Sequence, residues 1–476
     1  MAKKLHPSHP PKSSPFLMTK VLNKFIIYPM NAVEYFQDWL DDYLNFEKNP
    51  KKDIFWLDTI DYLCKRFENP QDYAPCVHIA GSKGKGSVSR MIACILEEAG
   101  NKVGVYTSPH ISDFRERITL PTTFFDEETY EAAIREMIPN IESIIPTSLP
   151  AERPITWFEL VTLYSFLVFR KAEVDWSVFE VGLGGRLDST NVVRPKLCCI
   201  TPIELEHTEF LGDTIEKIAA EKAGIIKNCT PVVVARQPTE SVKKVFEEKA
   251  FTRHAPIYFV DEVTKNLSHS FDLEKKVMNI SFESEIFNRP IKTSLKMLGK
   301  MQLENAALAA IAARKLFPNL DEEIIERGLA KAKLPARFEI LTEVPGYQQL
   351  PALILDGAHT LNSITLTLDT LNKLYGEEKV SLLFACAADK DVKDIAKVLK
   401  GRFEHIYATK PGDTKHSDLP SLESAFNAAG LSYELSDDFP QMIKKALKEA
   451  SERGEILLVT GSFYLVAEVD KMIFKK

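Results

Sequence analysis

The chain is poor in several features that would place it in a class at once. Its seven cysteines in 476 residues form no C-x-x-C pair, and Cys198-Cys199 lies inside an apolar run. That pattern argues against a zinc ribbon or a disulfide scaffold and predicts reduced, buried thiols in a cytoplasmic protein. No apolar run reaches the ~20 residues of a membrane span, so no membrane partner is expected. The first residues lack both the apolar stretch of a signal peptide and the arginines of a transit peptide. Positive charge is not in excess either. Lys and Arg number 60 against 67 Asp and Glu, a net charge of -7, which argues against a nucleic-acid partner held by bulk charge. No internal repeat is visible.

What is present reads as an ordinary globular chain, 45% hydrophobic and 27% charged. Its length suggests two or three domains of about 100–200 residues each. The first 24 residues carry five lysines, no acid and four prolines by Pro15, which predicts a disordered tail over 1–28.

The most informative stretch is Cys76-Val77-His78-Ile79-Ala80-Gly81-Ser82-Lys83-Gly84-Lys85-Gly86-Ser87. A short apolar run gives way to three glycines and two lysines within six residues, and a helix follows, with Val88, Met91, Ile92, Ile95 and Leu96 on one face and Gly100 as its stop. Backbone N–H groups, a helix N-terminus and a lysine are what a polyphosphate needs. The loop departs from the common P-loop pattern. Ile79 stands where that pattern has its first glycine, and Gly86 separates Lys85 from Ser87. The alternative reading is a glycine-rich turn with solvated lysines.

Asn31 to Phe67 reads as helical, marked by Tyr35, Leu40, Tyr43 and Leu44, then Phe55, Leu57, Ile60, Leu63 and Cys64. Strands and helices then alternate. Strands are expected at Val103-Tyr106, Trp176-Val181, Leu197-Ile203, Val232-Ala235 and Ile257-Val260, and helices at Thr156 to Arg170, Ile215 to Ile226 and Met301 to Lys315. Asn266 to Lys296 alternates polar and apolar residues, as a small antiparallel insertion would. Past a boundary near Leu334-Pro335 the alternation resumes, with strands at Leu353-Leu355, Ser381-Cys386, His405-Ala408 and Ile456-Val459. Helices there are expected at Ser363-Leu374, Val392-Leu399, Leu422-Ala428 and Phe439-Ser451. This pattern predicts an α/β chain: a P-loop domain with a mostly parallel sheet (29–334) and a smaller Rossmann-like α/β domain (335–476).

Three further segments sit at expected strand ends, where ligands of α/β sheets bind. Tyr106-Thr107-Ser108-Pro109-His110 can hold a metal or phosphate; alone, a capped turn explains it better. Glu180 ends a buried run ahead of Gly182-Leu183-Gly184-Gly185, and a carboxylate there suits Mg²⁺. A buried carboxylate also demands a partner, which makes an idle surface acid a poor explanation. His207 follows the strand ending at Ile203. By itself it reads as structural; with the phosphate loop and Glu180 it suggests a metal near an ATP γ-phosphate. Lys222, in the last turn of its helix, needs nothing beyond the helix dipole to explain it.

Taken in order, Gly81 to Ser87, Thr107-Ser108-Pro109-His110, Trp157-Phe158-Glu159, Glu180 through Asn191, His207-Thr208, Glu221 to Ile225, Glu304-Asn305-Ala306, Pro335-Ala336-Arg337 and Asp356-Gly357-Ala358-His359 resemble the motifs of the folylpolyglutamate synthase and dihydrofolate synthase family, relatives of the Mur ligases. The resemblance runs from about Trp39 to the C-terminus. It implies ATP-dependent amide formation: a folate carboxylate is phosphorylated and the amine of L-glutamate displaces phosphate. It implies ATP contacts from Gly84, Lys85, Gly86, Ser87, Asn305, Arg337 and Asp356, and Mg²⁺, as two ions, held by Ser108, Glu180 and His207. Lys222 corresponds to a lysine that the family carbamylates, so that Lys85, Glu180, His207 and Lys222 form the implied catalytic set. Thr156, Trp157, Phe158, Glu159 and Leu187 correspond to pterin-site positions, and His359 to a position near the active site, all expected to bind substrate. A monomer is expected. Dihydropteroate is the alternative acceptor to tetrahydrofolate, in a second activity or a bifunctional enzyme. A nucleotide-binding protein without turnover is the alternative of another class. Departures from the family pattern are Lys83 for asparagine, Glu206 for aspartate, Met301-Gln302 for His-Gln, Thr360-Leu361 for Asn-Pro, and Trp157 itself.

Overall fold

The computed structural model describes residues 31–45, 56–376, 378–388, 390–413 and 416–474. The expected tail over 1–28 lies outside them. Seven short runs, most of them rich in Val, Ile, Cys and Phe, form the first sheet: β1 (Cys76–Ala80), β2 (Val103–Tyr106), β3 (Ile118–Thr119), β4 (Trp176–Glu180), β5 (Leu197–Ile200), β6 (Val232–Val234) and β7 (Ile257–Phe259). Their spatial order is β3-β2-β4-β1-β5-β6-β7, and every pairing is parallel except that of β2 with the edge strand β3. The central strands are buried along their whole length, which is why they lack the alternation of a half-solvated strand.

Helix Lys85–Glu98 lies on the sheet and packs against helices Lys300–Leu316 and Glu322–Lys331. Alanines make the first of these contacts close: Ala306, Ala307, Ala309, Ala310, Ala312 and Ala313 are all fully buried. The opposite face is aromatic. Phe36, Phe114, Tyr164, Phe166 and Phe179 join helices Ala32–Leu40, Glu127–Glu142 and Trp157–Lys171 to the sheet, with the Phe36 and Tyr164 rings 4.4 Å apart.

The alternating segment forms an antiparallel sheet of β8 (Thr264–Asp272), β9 (Val277–Ser284) and β10 (Ile291–Leu295), which buries Met278, Ile280 and Phe282 against the main core. A second, six-stranded sheet contains β11 (Glu339–Leu341), β12 (Leu353–Leu355), β13 (Val380–Phe384), β14 (His405–Thr409), β15 (Glu434–Ser436) and β16 (Ile456–Thr460), in the order β11-β12-β16-β13-β14-β15. Only β11 runs antiparallel. Helices Leu361–Tyr375, Val392–Leu399, Leu419–Ala429, Phe439–Arg453 and Phe463–Phe474 cover it.

Three expected elements are corrected. The helix expected over Asn31 to Phe67 is two helices, Ala32–Leu40 and Asp58–Arg66. The chain leaves the helix because the Leu44 carbonyl accepts the Trp157 N–H (2.9 Å) in a bridge to Thr156. The strand expected to Ile203 ends at Ile200, before Pro202, which has no N–H for a ladder. The helix expected to Ile226 ends at Lys222 and tightens into a single 3₁₀ turn, Ala223–Ile225. There Gly224 lies so close to Arg186 that a Cβ would sit 2.5 Å from its Cα.

Among the described residues no helix is long and apolar enough to cross a membrane. None of the seven cysteines, all among the described residues, is in a disulfide, and six are buried.

Candidate active site

The glycine-lysine loop turns from β1 into helix Lys85–Glu98 at the carboxyl end of the sheet. Space excludes a side chain at Gly81, a positive φ and a close side chain disfavour one at Gly84, and the fit at Gly86 is tight. A Cβ on Gly81 would lie 1.8 Å from Thr201 Oγ1, one on Gly84 (φ +89°) 2.5 Å from Asn305 Oδ1, and one on Gly86 3.3 Å from Glu180 Oε2. The loop is thereby pressed against a neighbouring strand end, a helix and a carboxylate at once. Lys85 Nζ folds back to donate to the carbonyls of Gly81 (3.1 Å) and Ser82 (3.4 Å).

This loop forms one wall of a cleft of about 340 Å³ between the two α/β units. The first unit lines it with Gly84, Lys85, Gly86, Ser87, Ser108, Glu180 and His207, and the second with Arg337, Asp356 and His359. Ten residues named from sequence therefore meet in one place. Asn305 adjoins through Gly84, its Nδ2 donating to Gln302 Oε1 (3.0 Å).

Glu180 ends β4 and is only 5% exposed. Its Oε2 accepts from Ser108 N (3.3 Å). Burial pushes its carboxyl above the usual range, against the pull of Lys85, this hydrogen bond and Arg337. A buried carboxylate with so little local compensation is suited to a cation. No cluster of three His, Cys, Asp or Glu among the described residues forms an all-protein metal cage. The donor set fits an ion that takes the rest of its shell from water and phosphate oxygens, as Mg²⁺ does.

Lys222 sits directly behind the cleft, 2% exposed, donating to Gly81 O (2.8 Å) and paired with Glu206 Oε1 (3.1 Å). Burial is the main cause of an ammonium pKa lowered to about 8; Glu206 opposes the shift and Lys85 adds to it. Burial would raise the Glu206 carboxyl, but Lys222, Lys85 and Lys83 outweigh it and bring it to about 2. Glu206 also answers for Lys83. Burial, with Lys85 and Arg337 nearby, still holds that half-buried lysine below its ordinary value; Glu206 and Glu204 oppose the shift without cancelling it. His207, beside Glu206 on the rim, takes a left-handed backbone (φ 48°).

From the second unit, the Arg337 guanidinium stacks 4.4 Å from the centre of the Phe463 ring. Asp356 directly follows β12 and accepts from Phe338 N (2.8 Å), Ala358 N (3.0 Å) and Thr367 Oγ1 (2.9 Å), which ties the linker to the second sheet. His359 Nδ1 lies 2.8 Å from Gly357 O. A carbonyl only accepts, so Nδ1 carries the proton and Nε2 keeps its lone pair. Burial, then Lys83, lowers this imidazole to about 3, so it is neutral at pH 7.

The segment Thr156 to Glu159 begins helix Trp157–Lys171 outside the cleft wall. Thr156 and Glu159 satisfy one another: Glu159 Oε2 accepts from Thr156 N and Oγ1, both at 2.8 Å. Burial raises the Glu159 carboxyl to about 7. Trp157 packs 4.8 Å from the Arg117 guanidinium. Phe158 closes on Gly182, where a Cβ would meet its ring at 2.4 Å. Leu187 is half-buried in the loop beyond. His110, weighed as a metal or phosphate ligand, accepts from Arg117 Nε (2.7 Å).

Sequence reasoning missed Glu206 as the partner of Lys222 and Phe463 as the platform for Arg337. The signal for Phe463 was there, a Gly461-Ser462-Phe463 turn directly after a buried strand. The ion pair of Lys222 spans 16 residues and leaves no periodic trace.

Comparison with known proteins fits this geometry. The Mur ligase middle domain matches residues 137–313, and the Mur ligase glutamate ligase domain matches 336–463. A Bacillus subtilis protein named dihydrofolate synthase/folylpolyglutamate synthase is 31% identical over 442 residues, 92% of this chain and 98% of its own. The chain belongs to the dihydrofolate synthase/folylpolyglutamate synthase family. Two solved folylpolyglutamate synthases share the fold of this synthase. That of Thermotoga maritima is 31% identical with a TM-score of 0.77, covering 93% of this chain and 96% of its own. That of Mycobacterium tuberculosis, solved with ADP and AMPPCP, is 26% identical with a TM-score of 0.80, covering 93% and 98%.

Proposed function

We propose that this synthase joins L-glutamate to a folate carboxylate at the expense of ATP, through an acyl phosphate. The reading rests on one observation above others: the phosphate loop and Glu180 of the first unit line one cleft with Arg337 and Asp356 of the second. A carboxylate is a poor acceptor for an amine. Transfer of the γ-phosphoryl group to it, with loss of ADP, creates a leaving group; attack by the glutamate amine forms the amide and releases phosphate.

In this reading the N–H groups of Gly84 to Ser87 and the Lys85 ammonium hold the phosphates, while Asn305, Arg337 and Asp356 position the nucleotide. Glu180, Ser108 and His207 would hold Mg²⁺, which supplies positive charge against that developing on the transferring group. His359 presents Nε2 to the cleft as an acceptor. Lys222 is the residue for carbamylation. Only a neutral amine adds to CO₂, and a pKa near 8 leaves an appreciable neutral fraction at pH 7 where an ordinary lysine has almost none. The ammonium first loses one proton, and formation of the N–C bond to CO₂ releases a second, so that a cation becomes an anion beside Glu206; the neighbouring Lys83 and Lys85 and a bound cation offset that charge.

The pterin would lie toward Phe158 and Leu187, with Thr156, Trp157 and Glu159 supporting the wall. The enzyme is read as a cytoplasmic monomer. Because the Bacillus subtilis relative carries both activity names, dihydropteroate and tetrahydrofolate are both tested as acceptors.

The experiment is phosphate release with ATP, Mg²⁺, glutamate and each acceptor, with mass spectrometry of the products. Release is expected only when glutamate and an acceptor are both present. Release that never needs both sinks the proposal. Glu180→Gln is expected to lower kcat by about 10²–10³-fold or more while the protein stays folded.

A further inference from the structure

A second concavity, of about 660 Å³, opens on the flank of the first sheet, away from the cleft. Three segments enclose it: the loop running from Arg186 to Pro195, the stretch from Gly224 to Thr230 just beyond Lys222, and the end of helix Glu240–Thr252. Five cations line it, Arg186, Arg194, Lys227, Lys249 and Arg253, and no lining residue is acidic. In a chain of net charge -7 this is an unusual concentration.

Little nearby neutralises it. Arg186 pairs with Glu221 at 2.9 Å. Lys227 donates to the carbonyl and side-chain oxygens of Asn191 (2.8 and 2.7 Å), and Arg253 to Asn228 Oδ1 (3.1 Å), all neutral acceptors. Arg194 and Lys249 form no ion pair among the described residues. Lys227 and Lys249 are half-buried, and burial is the main cause that pushes the Lys249 ammonium down, with Arg253 and Arg186 adding to it. Such an arrangement stores unfavourable repulsion that a multivalent anion would relieve. The volume is in the range of small-molecule sites and far exceeds that of a single inorganic ion.

We propose that this concavity binds a small molecule carrying three or more anionic groups, and that its ligand is an oligo-γ-glutamyl chain. The ligand assignment rests on the proposed function: repeated on its own product, that reaction builds such a chain. An extended run of carboxylates can reach several of these cations at once, whereas one carboxylate cannot. The site also has a physical link to the cleft. The loop that supplies Arg186 and Asn191 begins at Gly182, which lines the cleft, and Arg186 N donates to Glu221 O (2.8 Å), one residue before Lys222.

The test is calorimetric titration of the full-length protein, with AMPPCP and Mg²⁺ present to fill the nucleotide cleft, using tetra-γ-L-glutamate and inorganic triphosphate as probes. Tetraglutamate is expected to bind, more weakly as salt rises. Affinity is expected to fall about tenfold or more in the triple variant Arg194→Ser, Lys249→Ser, Arg253→Ser. The single variant Lys249→Glu, checked by thermal unfolding, is expected to show a loss in the same direction. Tetraglutamate affinity unchanged in both variants, or no binding of either probe, overturns the site. Binding of triphosphate but not tetraglutamate overturns the ligand assignment. Failure of the ligase reading shows separately, as absent glutamate-dependent phosphate release whatever binds here.

Discussion

At the scale of single residues, Lys222 and Glu206 set the electrostatic character of this site. Their pKa values move in the same direction for different reasons: burial disfavours the lysine's charge, while three neighbouring lysines favour the glutamate's. For Glu206 the unfolded chain binds more protons between its ordinary value and about 2. The stability it contributes is complete above the ordinary value and is lost as pH falls toward 2. For Lys222 the unfolded chain binds more protons between about 8 and the ordinary lysine value, so its folded-state penalty disappears as pH rises through that window. Glu206→Gln removes the anion from a nearly buried pair and is expected to cost about 3 kcal/mol at pH 7. The cost should shrink by pH 9, where Lys222 is already mostly neutral. Urea denaturation of both proteins at the two pH values checks this; an equal loss at pH 7 and 9 would mean that Glu206 does not stabilise the charged form of Lys222.

At the scale of elements, much was legible, because buried parallel strands are short apolar runs ending in glycine or polar residues. The strands at 103–106, 232–234 and 353–355 are of this kind, and so is the loop at 81–87, whose function is carried by consecutive residues. Contacts made across the chain were less legible. The split of the first expected helix depends on a bridge from Leu44 to Thr156, and the stop at Lys222 depends on Gly224 meeting Arg186. Helix Glu322–Lys331 was not anticipated, although its single glycine marks its packing. A Cβ on Gly328 would lie 2.5 Å from Ile95 Cα and 2.7 Å from Ile95 N, atoms of a backbone that cannot swing aside. Ala is the better helix former, worth up to about 1 kcal/mol, yet the clash should outweigh it. Gly328→Ala is expected to destabilise by about 1–3 kcal/mol and to loosen the start of the phosphate loop, since Ile95 belongs to the helix that the loop caps. A urea midpoint equal to or above that of the wild type would show that the two helices part at little cost.

At the scale of the whole molecule, the cleft lies between two sheets whose buried cores join in one apolar cluster, with polar contacts beside it such as Asn362 Nδ2 donating to Glu204 Oε1 (2.7 Å). A ligand that touches both units adds to the cohesion this packing supplies. A nucleotide at 100 times its Kd stabilises the native state by about 2.7 kcal/mol if it binds only that state. The phosphate loop alone would supply part of this; the rest needs the second unit, which reaches the cleft with Arg337, Asp356 and His359, Arg337 bringing a cation to the nucleotide. Arg337→Ala is therefore expected to keep the apo protein folded, with a small loss from the vacated Phe463 face, and to lose most of the rise in Tm on adding AMPPCP and Mg²⁺. Comparing each protein with its own apo form removes the packing contribution. If the nucleotide raises the Tm of the variant as much as that of the wild type, the ligand sits on the first unit alone, and closure of the second unit has no part in binding it.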